Sequence, residues 1–286
     1  MILVTGATGH LGTAVINQLL KHTSTENFVA LARSEEKAKA LKDKGVQVRI
    51  GDFDDPASLE KAFAGIDKLL LISTVAQNRS EQQKAVVEVA KKAGVQHIVY
   101  TGVSLKDLST SAIKWLMASH FETEDAIKES GFVYTFLHNA LYTDVTPMYV
   151  GEHVFETGIY LSAGDGKAPF ALRREMGEAL ANVLLQDGHE NKTYEITGSE
   201  LYSYTDVAQV LSELSGKSVS YTNADPTEFT EKLKQFGVPE FAILLTAGFA
   251  EDQKNHQFEE VTNDLENLLG RKPLALKEAL KEIYKL

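Results

Sequence analysis

The chain has 286 residues, 43% of them hydrophobic and 24% charged, and a formal net charge of -11. That balance allows a substantial core, while the acidic surface repels phosphate backbones and argues against nucleic acid as a partner. With no cysteine, disulfides, thiolate catalysis and cysteine-ligated metals are excluded, and the composition fits a reducing cytoplasm. No apolar run approaches the roughly 20 residues of a membrane span. The N-terminus shows no basic region, apolar stretch and cleavage site, so a cytoplasmic protein without a signal peptide is expected.

The first predicted strand, "MILVT", runs straight into Gly6, Gly9 and Gly12, spaced G-x-x-G-x-x-G, and then into a helix-length amphipathic segment, "HLGTAVINQLLKH". In that position each glycine has a task. Gly6 permits the tight turn, Gly9 lets backbone approach a pyrophosphate, and Gly12 lets the helix pack close to the strand. The free N–H groups and positive end of the helix then face a diphosphate, with Thr8, His10 and Leu11 adding contacts. A glycine-rich turn without ligand is the alternative, but the strand–turn–helix setting favours dinucleotide binding.

The second strand, "NFVALAR", ends on Arg33 and has no carboxylate until Glu35. An NAD site places an acid there for the ribose 2′-hydroxyl. A guanidinium instead stacks on adenine and pairs with a 2′-phosphate, so Arg33, with Lys37 adding charge, favours NADP(H) over NAD(H). The alternative is a solvated surface arginine. After "SEEKAKALKDKG" and the third strand "VQVRI", the segment "GDFDDPASLEKAF" sets Asp52 and the backbone of Phe53 at the adenine edge. Asp54 or Asp55, before Pro56, caps the next helix.

The remaining runs "KLLLIS", "HIVYTG" and "FVYTFL" alternate with the helical segments "RSEQQKAVVEVAKKAG" and "AIKWLMASHFETEDAIKESG". Uniformly apolar strands separated by helices mean a parallel sheet covered on both faces, an α/β doubly wound Rossmann sheet. Gly45, Gly65, Gly94 and Gly131 are placed to close helices. Beyond about residue 145 the rhythm loosens: "GIYLSAGDGKAPFA" reads as strand and loop, "RREMGEALANVLLQ" as helix, "KTYEITG" as strand, and "SYTDVAQVLSELSGKSVSY" as helix, glycine cap and strand. The tail from Asp225 is mainly helical. The expected organisation is a Rossmann domain at 1–150, to which 171–198 returns, and a smaller, mainly α substrate lobe at 151–286.

The stretches "VTGATGHLG", "GDFDDPASLEKAFAGIDKLLLIS", "AGVQHIVYTG" and "YTFLHNALYTD" together resemble the NmrA-like branch of the atypical short-chain dehydrogenase/reductases, and within it the quinone and triphenylmethane dye reductases. The glycine loop identifies only the superfamily; "NALYTD" after the sixth strand is more specific. The resemblance implies NADP(H) in the Rossmann domain and a C-terminal lobe closing a cleft over the nicotinamide. It implies cofactor contacts from Ser73 and Thr74 after the fourth strand, Thr101, Gly102 and Val103 after the fifth, and Asn139, Ala140 and Tyr142 after the sixth. It also allows a homodimer through the helices at 79–93 and 109–130.

Typical short-chain dehydrogenases place Tyr-x-x-x-Lys on the helix after the fifth strand, the lysine lowering the pKa of the proton-transferring tyrosine. None of the ten tyrosines here has lysine four residues on. In the expected helix, His120 and Glu124 stand at i and i+4, sharing a face with Ile113, Met117 and Ile127. Either His120 is a general acid oriented by Glu124, or the pair is structural. One His and one Glu are too few for a metal, and none is expected. Without the Tyr-Lys pair, alcohol oxidation and sugar epimerisation are disfavoured. A quinone or similar flat conjugated acceptor remains open, because hydride addition gives a stabilised phenolate-like anion, with a conjugate acid of pKa about 10, that water can protonate. Tyr142 is the candidate acceptor contact, against a plain core or rim tyrosine, and Asn139 supplies polarity near the nicotinamide. The reading from a different class is a non-catalytic NAD(P)-binding redox sensor acting on a protein partner.

Overall fold

The computed structural model describes residues 1–151 and 153–286. Its first half lays down β1 (Ile2–Val4), α1 (His10–His22), β2 (Phe28–Ala32), α2 (Glu35–Lys42), β3 (Gln47–Ile50), α3 (Pro56–Ala62), β4 (Lys68–Leu71), α4 (Arg79–Ala93), β5 (His97–Val103), α5 (Lys114–Glu129) and β6 (Val133–Asn139). Each predicted strand and helix of this half appears, and the helix ends follow local chemistry. Asp55 caps α3 by accepting from the Ser58 amide at 3.3 Å. Gly94 ends α4 with φ +82°, a left-handed conformation that side chains resist.

The second half adds short helices α6 (Thr146–Val150) and α7 (Val154–Thr157), then β7 (Ile159–Leu161), α8 (Arg173–Leu185), β8 (Lys192–Ile196), α9 (Tyr204–Ser215), β9 (Tyr221–Asn223), α10 (Pro226–Gln235), α11 (Glu240–Lys254), α12 (Asp264–Leu269) and α13 (Leu276–Tyr284). Among the described residues the main sheet is parallel throughout and runs β3-β2-β1-β4-β5-β6-β8. It is the doubly wound sheet that the alternating pattern predicts.

One apolar layer, with Val15, Ile16, Leu19, Met176, Leu180 and Val183 at its centre, joins α1 and α8 to one face. A second, with Leu59, Phe63, Val86, Ala90 and Ile127, joins α3, α4 and α5 to the other. The approach of α8 to α1 is close: a Cβ on Gly177 would lie 2.5 Å from the Ala14 Cβ. A separate core gathers Val154, Leu161, Tyr204, Leu211, Phe229 and Leu280 around the small parallel pair β7-β9. There the sequence reading is corrected: the strand expected over "KSVSY" begins only at Tyr221, because β7 offers three residues to pair with. α11 ties this layer to the start of α5, where the Asp252 carboxylate accepts from the Ser111 hydroxyl and the Ala112 amide, both at 2.6 Å. No helix among the described residues is long and apolar enough to cross a membrane.

Candidate functional site

A cleft of about 480 Å³ opens over the C-terminal ends of the strands, where the order reverses between β1 and β4. That is the position at which open parallel sheets take ligands, and the volume is that of an ordinary small-molecule site. Its centre is the glycine loop. Gly6 holds φ +59° and accepts at its carbonyl from the Gly9 amide at 2.9 Å, closing the turn. A Cβ on Gly12 would stand 2.2 Å from the Gly6 oxygen, so α1 starts hard against the turn. Gly9 is the N-cap of α1 with no side chain over its first amides. Thr8, His10 and Leu11 complete this wall.

One end of the cleft lies over β2 and β3, and is lined by Arg33, Asp52 and Phe53. Arg33 is exposed, and the nearest carboxylate in sequence, Glu35, is turned to Lys42. Asp54 is held away from this wall by Asn78 and Gln82, whose side-chain amides donate to it at 3.1 and 2.9 Å. The other end lies over β4 and beside the segment after β6. Ser73, Thr74 and Tyr142 line it, together with Arg173 from the first turn of α8. The Thr74 hydroxyl is buried and has no hydrogen-bond partner among the described residues, an atom left for a ligand to satisfy. The Tyr142 hydroxyl accepts from Asn139 Nδ2 at 3.3 Å. Burial pushes its pKa upward, so it parts with its proton less readily than an ordinary tyrosine.

Of the expected residues, Lys37, Thr101, Gly102, Val103, Asn139, Ala140 and His120 do not line the cleft. Several stand directly behind it. The Thr101 hydroxyl accepts from the Ser73 amide at 2.9 Å and so holds the loop after β4. Asn139 supports Tyr142. Lys37 is exposed in the first turn of α2. A Cβ on Gly102 would lie 2.8 Å from the His138 ring of β6 and 3.0 Å from the Glu124 carboxylate of α5, so Gly102 packs against that pair. The polar lining residues that sequence reading missed are Arg173 and Gln82; the others are the small or apolar Leu31, Ala32, Gly51, Ile72, Val75 and Ala76.

The i, i+4 pair on α5 is divided between two different networks, which corrects the reading that Glu124 orients His120. Both are buried, as the shared face requires. His120 Nδ1 lies 2.9 Å from the Tyr100 hydroxyl, which donates to Gln83 at 3.0 Å. Burial, with the charges of Arg79 and His138, holds this imidazole well below its usual pKa and therefore neutral, without a proton to lend as a cationic acid. Glu124 instead accepts from His138 Nε2 at 2.8 Å, while His138 Nδ1 donates to Glu195 at 2.6 Å. Burial lowers the pKa of His138, but the two carboxylates outweigh it and hold it up at about 9.

A histidine raised from 6.5 to about 9 on folding contributes stability that is complete below pH 6.5 and is lost as the pH rises through the folded value. We expect urea unfolding to show a loss of up to about 3 kcal/mol over that interval, and His138→Gln to flatten it. Equal slopes in the two proteins would contradict this. No cluster of three or more His, Asp or Glu side chains able to hold a metal occurs among the described residues.

The chain is 37% identical over 288 residues to quinone oxidoreductase 2 of Escherichia coli strain K12, with 99% of each chain covered. It is 32% identical over 243 residues to the NAD(P)H azoreductase of Xenophilus azovorans, covering 84% of this chain and 82% of that one. The crystal structure of Citrobacter sp. triphenylmethane reductase complexed with NADP(H) superposes with a TM-score of 0.92 at 40% identity, over 99% of this chain and all of the other. The sequence profile of the NmrA-like family matches residues 1–283. A chain matched from end to end in sequence and in fold belongs to the NmrA-like family.

Proposed function

We propose that this protein is an NADPH-dependent reductase that passes hydride to quinones or similar flat conjugated acceptors. The observation that carries the reading is the cleft itself. It is a glycine-loop cradle in a chain of net charge -11, yet its wall carries Arg33 and Arg173 against the single carboxylate Asp52. Arg33 places positive charge where a 2′-phosphate would lie, and the uncapped start of α1 faces the diphosphate. NADP(H) fits the residues present. The loop presents bare backbone where it must meet phosphate, and among the described residues Arg33 is free for the 2′-phosphate and Thr74 offers an unpartnered buried hydroxyl. The relatives named above are reductases of quinone, azo and triphenylmethane compounds, two of them named with NADP(H) or NAD(P)H.

Gly6, Gly9 and Gly12 would hold the diphosphate, Arg33 and Asp52 the adenosine end, and Ser73, Thr74 and Tyr142 the nicotinamide end. When bound, the reduced nicotinamide supplies the hydride. The chain's own work is to hold acceptor and cofactor face to face and to exclude water between them. Tyr142 offers a flat ring at the acceptor position, and Asn139 fixes its hydroxyl. With the Tyr142 hydroxyl raised in pKa and His120 outside the cleft, no acid is placed at the acceptor, and the reduced product takes its proton from water.

Tyr142→Phe is therefore expected to retain kcat to within about threefold, since it loses only a weak hydrogen bond. Tyr142→Ala, which removes the ring, is expected to raise the acceptor KM about tenfold or more. A collapse of kcat in the phenylalanine variant would instead make Tyr142 the proton donor. The whole reading is tested by acceptor-dependent oxidation of NADPH across benzoquinones, naphthoquinones, azo dyes and triphenylmethane dyes. No turnover across that panel, with calorimetry showing tight binding of both cofactor forms, would leave the redox-sensor reading instead.

A further inference from the structure

Arg173 was not legible as a site residue in the sequence, and it stands at the acceptor end of the cleft beside Tyr142. Its guanidinium carbon lies 5.3 Å from the centre of the Tyr142 ring. Nε is ion-paired with the Asp144 carboxylate, and the Arg173 amide donates to the same carboxylate at 2.9 Å. Nη1 and Nη2 have no hydrogen-bond partner among the described residues, and the side chain is 18% exposed on the cleft wall. The ion pair and the ring hold the guanidinium, and its outer edge is open to the cleft. Arg33, the other arginine of the cleft, lies at the opposite end, over β2.

The two acceptor classes treat such a charge in opposite ways. A neutral quinone that gains hydride becomes an anion, with the electron pair on oxygen, and then takes a proton from water. A triphenylmethane dye begins as a cation, gains hydride at its central carbon and becomes neutral. A fixed positive charge beside the acceptor stabilises the first transition state and opposes binding of the second substrate. We propose that Arg173 sets acceptor preference by charge, favouring acceptors that become anionic on reduction over acceptors that begin cationic. This deepens the function proposed above and rests on it.

The test is the ratio of kcat/KM for a neutral naphthoquinone to kcat/KM for a cationic triphenylmethane dye, at saturating NADPH. Arg173→Gln is expected to lower that ratio about tenfold, chiefly through the quinone, and Arg173→Lys to restore part of it. Asp144→Asn keeps an oxygen to accept from the Arg173 amide but removes the opposing charge, and is expected to move the ratio the other way. Equal losses on both acceptors in Arg173→Gln, or a rise in the KM for NADPH as its main effect, would overturn the proposal by making Arg173 a structural or cofactor-holding residue. An unmoved ratio in folded Asp144→Asn would also overturn it. Failure of the unmodified protein to turn over either acceptor would overturn the reductase reading itself, and this proposal with it.

Discussion

Arg33→Glu is expected to raise the KM for NADPH by about 10- to 100-fold while leaving the KM for NADH nearly unchanged or lower. Charge-assisted hydrogen bonds to a phosphate contribute about 1.5–3 kcal/mol, and each 1.4 kcal/mol is a factor of ten. Arg33 is exposed, so the lower half of that range applies to its simple removal in Arg33→Ala. Glutamate adds repulsion against the 2′-phosphate, and it offers the 2′-hydroxyl of NADH the acceptor that an NAD site normally provides. Asp52 shares this end of the cleft, while the other nearby acids are engaged elsewhere: Glu35 by Lys42, and Asp54 by Asn78 and Gln82. Steady-state kinetics with both cofactors measure the change. Equal effects on NADPH and NADH would place Arg33 against the adenine ring rather than the phosphate.

Gly12→Ala is expected to destroy cofactor binding and to destabilise the fold, whereas Gly9→Ala should fold and lose binding only. At Gly12 a Cβ would lie 2.2 Å from the Gly6 oxygen and 2.7 Å from the Ala7 Cα, all backbone, so the overlap can be relieved only by pushing α1 off β1. Overpacking of this kind costs about 1–3 kcal/mol, and here it also opens the phosphate cradle. At Gly9 the nearest atom to a Cβ is the Gly6 oxygen at 3.3 Å, a tight contact that small shifts relieve. The cost then falls on the ligand, which loses close approach to the helix start. Thermal melts with and without NADP⁺ separate the two. A Gly12→Ala protein with an unchanged melting temperature and normal affinity would contradict the close packing of α1.

The half of the site that local pattern can reach was legible in the sequence. The glycine spacing, Arg33 at the end of β2, and Asp52 and Phe53 after β3 are each set by their position at the end of a strand, and a parallel sheet brings strand ends together. Arg173 was not legible, because the expected return of 171–198 to the Rossmann domain does not say that the first turn of α8 reaches the cleft. Local periodicity marks 173–185 as a helix but says nothing about which element it meets. One signal did exist: Gly177, inside an otherwise good helix, marks a close helix contact. The His120–Glu124 spacing gave the shared face and left open whether the pair is catalytic or structural; the hydrogen bonds favour the structural alternative. The i, i+4 rule fixes which way two side chains point, whereas their partners came from β5, β6 and β8. The short strand β9 failed for a similar reason, since its length is set by β7 rather than by its own β-branched residues.

The most direct test of hydride transfer uses NADPH deuterated at the transferring position of the nicotinamide, with a triphenylmethane dye as acceptor. Its reduced central carbon does not exchange with water. Mass spectrometry of the leuco product should find the deuterium on that carbon from one of the two deuterated epimers of NADPH and not from the other. A product carrying solvent hydrogen there with both epimers would contradict direct transfer across this cleft.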